Sequence, residues 1–161
     1  MAHELSLPTL VVGPADLVHI RREVEALDEY VRAASLREGG KPTAALPRLS
    51  RSLEALAQQN KLNLLQETDR ETLKSFLGDM LKHAPVVHVS FAVDPSAAFT
   101  TKIVMWFREN IDPGVLIQIG LQPTIAAGCV VRTPNHYYDF SLRQYFAKHK
   151  HLLIEKLEST T

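Results

Sequence analysis

The sequence predicts an α+β protein: an amino-terminal helical segment of three helices over residues 1–84, then a small α/β domain of about four strands and two helices over residues 85–161. Three observations carry this. Up to Ala84 the apolar residues recur three and four apart, the spacing of one helix face. After Pro85 they alternate, which is the period of a strand. From Gly128 to Leu142 two β-runs flank a Pro134-Asn135-His136 turn, and the second passes directly into a helix start.

Met1 to Gly13 reads as an extended arm, with Pro14 suited to the first turn of a helix, where a missing amide hydrogen costs nothing. Leu17, Ile20, Val24, Leu27, Val31 and Ala34 then form a narrow heptad seam, which stops at Gly39-Gly40 with Pro42 beyond. Burying its larger residues contributes roughly 1.5–3 kcal/mol each, whereas ordering the backbone costs about 1–2 kcal/mol per residue. This helix must therefore dock, either on its two neighbours or, at Ile20, Val24 and Leu27, on a partner helix.

A second helix is signalled by Leu46, Leu49, Leu53 and Leu56, with Pro47 in its first turn and fraying at Asn60 and Asn63; Lys41 to Ala45 reads as the loop before it. Thr68 and Glu71 form a capping box for a third, with the stripe Leu73, Phe76, Leu77, Met80, Leu81 and Ala84 closed by Pro85. The alternation Val87, Val89, Phe91, Val93 marks a strand. Asp94-Pro95-Ser96 then opens a helix, with Asp94 as N-cap, whose apolar face is Phe99, Ile103, Trp106 and Phe107 and whose end is Asn110. Asp112-Pro113-Gly114 is a turn, and Val115 to Leu121 a buried strand.

In the hairpin, Gly128 at the strand marks a bulge or a close backbone approach. Ser141 and Gln144 form a second capping box, with Phe140 and Tyr145 placed as a hydrophobic staple. The final helix carries Leu142, Tyr145, Phe146, His149, Leu152, Leu153, Ile154 and Leu157, a stripe broader than one covering face needs. Arg143, Lys148, Lys150, His151 and Lys156 lie between.

Composition narrows the function. With 45% hydrophobic and 22% charged residues the chain can bury a core, and 18 Lys and Arg balance 18 Asp and Glu, so no net field draws it to nucleic acid. Cys129 stands alone, which gives no disulfide framework, and no signal peptide or membrane-spanning run is read. No metal-ligand spacing, phosphate loop or catalytic serine motif occurs, and no cofactor is expected. The best enzyme constellation, Cys129 with His136 and Asp139, places its thiol in an apolar strand, where a small buried hydrophobe is the ordinary role. Tyr137, Tyr138, Arg143, Tyr145 and Lys148 could form a basic and aromatic surface for nucleic acid. Asp139 fits as a favourable charge at the positive end of the last helix.

The run Ile125, Ala127, Gly128, Val130, Val131, Arg132, Asp139, Ser141, Leu142 resembles the carboxy-terminal domain of the delta subunit of F-type ATP synthases, the oligomycin-sensitivity-conferring protein of mitochondria. There an apolar run, a glycine, a β-branched strand, a turn, an aspartate and a serine at a helix start follow in this order. The family's paired glycine is Ala127-Gly128 here, and its glycine between aspartate and serine is Phe140. The similarity covers about Val86 to Leu157; three helices stand where the family has a larger bundle.

The resemblance implies a non-catalytic stator subunit of the peripheral stalk. It would bind the amino termini of the alpha subunits and the helices of the membrane-anchored b stalk, and sit peripherally at the cytoplasmic face of a bacterial cell membrane through those subunits. By that analogy contacts fall on the last helix and the hairpin, at Leu142, Tyr145, Phe146, His149 and Leu153, and on the seam at Ile20, Val24 and Leu27; Gly128, Asp139 and Ser141 are structural. A generic helical adaptor and a nucleic-acid-binding module are the other readings.

Overall fold

The computed structural model describes residues 5–36, 48–125 and 127–151. The expected stop at Gly39-Gly40, the loop at Lys41 to Ala45, Leu46 with Pro47, and the stripe from Leu152 onward, Leu153 included, lie outside the described residues. In order the elements are α1 (Pro14–Leu36), α2 (Arg51–Gln59), α3 (Glu67–His83), β1 (Val86–Phe91), α4 (Ala97–Asn110), β2 (Leu116–Leu121), a 3-10 turn (Pro123–Ile125), β3 (Cys129–Arg132), β4 (Tyr137–Asp139) and α5 (Leu142–Lys148). The α+β architecture is as expected: among the described residues, three helices come first, then four strands with two helices. The chain divides into two units, Met1–Pro85 with Thr101–Leu116, and Val86–Thr100 with Ile117–Thr161. Both are discontinuous in sequence, unlike the division at residues 84 and 85.

In the first unit α1 lies against α2 and α3. The seam Leu17, Ile20, Val24 and Leu27 is buried together with Leu53, Leu56, Leu73 and Leu77, while Val31 and Ala34, nearer the helix end, are only half-buried. Gly13 and Val12 give their amides to Asp16 Oδ2 at 2.9 and 2.8 Å, so the carboxylate satisfies donors at the start of α1. At the start of α2 the cap is Ser50, whose Oγ accepts from Leu53 N at 3.2 Å. Leu49 therefore precedes the helix it was expected to line.

The capping box at Thr68 is not formed. Helix α3 starts at Glu67 with Gln66 as N-cap and no side-chain bond, which leaves Thr68 inside the first turn, and Asp69 Oδ2 instead accepts from Asn63 N at 2.7 Å. Pro85 does close α3, with Ala84 already extended.

The sheet has the order β2-β1-β3-β4. β1 is antiparallel to β3, with Val89 opposite Val131, and β3 is antiparallel to β4, with Val131 opposite Tyr138. Leu116 N donates to Pro85 O and Gln122 N to Phe91 O, at 2.9 and 2.7 Å; these bonds advance in the same direction along both chains, so β2 is parallel to β1. Val87, Val89 and Phe91 are buried as the alternation requires, but the strand stops at Phe91 and Val93 is exposed.

Helix α4 corrects two expectations. Its start is satisfied by Ser96, whose Oγ accepts from Phe99 N and whose carbonyl accepts from Thr100 N, rather than by Asp94 two residues earlier. Its buried residues are Val104 and Phe107, while Phe99 and Trp106 are exposed. The helix is rotated from the face that counting its largest side chains selects.

Candidate docking surface on the terminal hairpin and helix

Within the second unit, the hairpin and α5 are joined by backbone. Gly128 has φ +92°, and a Cβ there would collide with Phe140 O and stand 3.0 Å from Ser141 Cα. Only glycine permits that conformation together with that approach. Phe140 N donates to Cys129 O at 2.9 Å and Leu142 N to Ala127 O at 3.0 Å, so the chain on either side of Ser141 is fastened beside Gly128. The close approach expected at Gly128 is thus to the residues that start the last helix. At the hairpin tip Thr133 N donates to His136 O, and His136 N to Thr133 Oγ1.

Ser141 is the N-cap of α5, in extended backbone and buried, but its side chain does not cap the helix. Its amide donates to Asp139 Oδ1 at 2.8 Å, and its hydroxyl also turns to that carboxylate. These hydrogen bonds from Ser141, hydroxyl first and then amide, hold the Asp139 carboxyl below the usual carboxylate range. The serine half of the expected capping box is therefore corrected: the Ser141 side chain makes no cap bond to the helix amides. The staple is also replaced, since Phe140 stacks on Tyr138 at 6.2 Å and is 62% exposed.

Leu142, Tyr145 and Phe146 are 44%, 57% and 48% exposed on α5. A leucine and two aromatic rings open to solvent on two turns of one helix are more than isolated apolar exposure. Tyr145 meets Phe146 edge-on and stacks on His149 at 4.3 Å. His149 is the C-cap, half-buried, with Nδ1 2.9 Å from Tyr145 O, a contact in which Nδ1 carries the proton.

Ile20, Val24 and Leu27 are placed differently. All three are buried in the first unit, so the seam is spent on the core and presents no surface to a partner helix. That corrects their assignment as contacts. The hairpin, where contacts are also expected and where the sequence singles out Tyr137 and Tyr138, carries an aromatic ladder: His136, Tyr138 and Phe140 stack in turn at 5.8 and 6.2 Å, with Tyr137 under the Arg132 guanidinium at 5.6 Å. Their spacing of two along the chain is the signal that finds them.

Burial pushes the Cys129 thiol up, the opposite of what a nucleophilic cysteine requires. Among the described residues no group of three His, Cys, Asp or Glu side chains could hold a metal ion, and no helix is long and apolar enough to cross a membrane. No protein-family model matches the chain, and no curated protein sequence matches it.

Proposed function

We propose that this chain is a non-catalytic stator subunit of an F-type ATP synthase, a joint between the catalytic head and the b stalk at the cytoplasmic face of the membrane. The observation that carries the reading is the open apolar start of α5, Leu142, Tyr145 and Phe146, on a helix whose origin is fixed by backbone. A static joint needs such a surface: an apolar patch with a polar rim, set on an element that cannot swing. The order glycine, strand, turn, aspartate, serine, helix adds support, because each member has a geometric task. Gly128 admits Phe140 O, and Asp139 engages Ser141.

The buried seam moves the proposed stalk contact off α1 and onto the terminal hairpin and helix. Tagged chain purified from cells that also express ATP-synthase alpha and b subunits tests this. Co-purification of b, and its loss with Tyr145→Ala and Phe146→Ala combined, is expected; chain recovered free of both subunits overturns the proposal.

A further inference from the structure

We infer that the exposed apolar face of α5 takes an amphipathic helix whose apolar stripe is bordered by acidic residues. This rests on the reading of the same face as a docking surface and adds the charge of its occupant. Residues 127–151 hold four cations, Arg132, Arg143, Lys148 and Lys150, against one carboxylate, Asp139, although the whole chain is neutral. All four cations are exposed, and among the described residues none of them makes an ion pair. The carboxylate is already engaged by the Ser141 amide and hydroxyl.

In the same segment of chain the side chains of Phe140, Leu142, Tyr145 and Phe146 are open to solvent. An apolar patch flanked by exposed cations is complementary to a helix that presents leucines along one side and glutamates beside them. A single-stranded nucleic acid would also bring negative charge and stacking bases, but it needs cations set along a backbone track. Here Arg132 lies over the Tyr137 ring, and Leu142 offers an aliphatic surface that a base cannot stack on.

The test uses the full chain and two fluorescent 18-residue peptides with one apolar pattern, one carrying glutamates and the other lysines at the flanking positions. Binding is read by anisotropy near physiological salt. The glutamate peptide is expected to bind and the lysine peptide to bind at least about tenfold more weakly; Arg143→Glu with Lys148→Glu should reverse that order. Circular dichroism confirms that the variant folds.

Equal binding of both peptides overturns the inference, as does tight binding of a thymidine oligonucleotide that displaces the glutamate peptide. Failure here is distinguishable from failure of the stator reading. If b co-purifies undiminished with Arg143→Glu and Lys148→Glu, the charge inference falls and the joint stands. If the glutamate peptide binds but neither synthase subunit co-purifies, the joint falls and the inference stands.

Discussion

Arg70 and Asp28 form a shielded ion pair inside the helical unit: Arg70 Nε donates to Asp28 Oδ1 at 2.8 Å, with side chains only 4% and 13% exposed. Lys74 reaches the other carboxylate oxygen, and Arg70 Nη1 also donates to the carbonyls of Leu64 and Leu65. The arginine thus ties α1 to the chain entering α3. Hydrogen bonds from Lys74, then from Arg70, hold the Asp28 carboxyl at about 2, below its ordinary 3.8.

A folded value below the unfolded one gives stability that is full above about pH 4 and is lost as pH falls toward 2. We expect acid to remove on the order of 1–2 kcal/mol through this group, discounted for its nearness to solvent. Asp28→Asn should cost about 2–4 kcal/mol at neutral pH, because Arg70 stays buried without its counter-charge. It should also flatten the acid limb of the stability curve. Urea melts of both chains from pH 2 to 7 check this, and an unchanged acid limb in the variant refutes it.

Gly128→Ala is expected to destabilise the second unit by at least about 2 kcal/mol, because a left-handed backbone and a backbone clash act together. The clash is with Phe140 O, which hydrogen bonding on both sides holds in place. Movement at Phe140 would shift the origin of α5. The readouts are thermal melting and amide exchange at Leu142 N, whose protection by Ala127 O should be lost first.

These two sites differ in how far the sequence revealed them. The first helix was readable because Leu17, Ile20, Val24 and Leu27 recur at helix spacing, but spacing alone did not tell whether that seam met its own neighbours or a partner helix. Gly128 was readable as a bulge or a close approach, because a glycine next to a β-branched strand has few other uses, and the structure shows which. Caps were not readable with the same security: Ser, Thr and Asp lie near every helix start, and which one bonds depends on backbone geometry, as at Ser50, Ser96 and Thr68. Arg70 and Arg108 were missed for another reason. Charged residues between apolar ones read as a solvated face, and only the fold brings carbonyls from distant segments to them. On α5, Leu142, Tyr145 and Phe146 read equally as core or as contact, since periodicity gives direction but not what stands opposite.

Arg108 leads to the third prediction. Its guanidinium donates to the carbonyls of Leu7, Pro8, Val11 and Val115, so one side chain from the Thr101–Leu116 segment secures the arm whose Leu7 and Val11 are buried. Desolvation by burial lowers its pKa, and an arginine guanidinium stays charged in proteins. Arg108→Met should cost about 2–3 kcal/mol through the carbonyls left unsatisfied and open the arm to proteolysis near Leu10. A fragment ending at Pro85 lacks this arginine and should show the same cleavage. A fragment as resistant as the full chain would mean that Ser6, bonded to Asn60 and Gln59, holds the arm unaided.

Substitutions that remove similar amounts of apolar surface should separate stability from docking. Leu27 is sealed in the core, so Leu27→Ala leaves a cavity and should cost about 2–5 kcal/mol. Tyr145 is more than half exposed, and its ring touches Phe146 and His149 on its own helix and the adjoining cap. Tyr145→Ala should therefore change stability by no more than about 0.5 kcal/mol. If α5 is a contact surface, the same change should weaken capture of a stalk helix by tenfold or more, as truncation of a central aromatic anchor does. Leu27→Ala should leave affinity per folded molecule unaltered. The opposite result, with Tyr145→Ala unfolding the chain and Leu27→Ala weakening capture, would place the partner on the helical unit and make the aromatic turn of α5 part of the fold's own support.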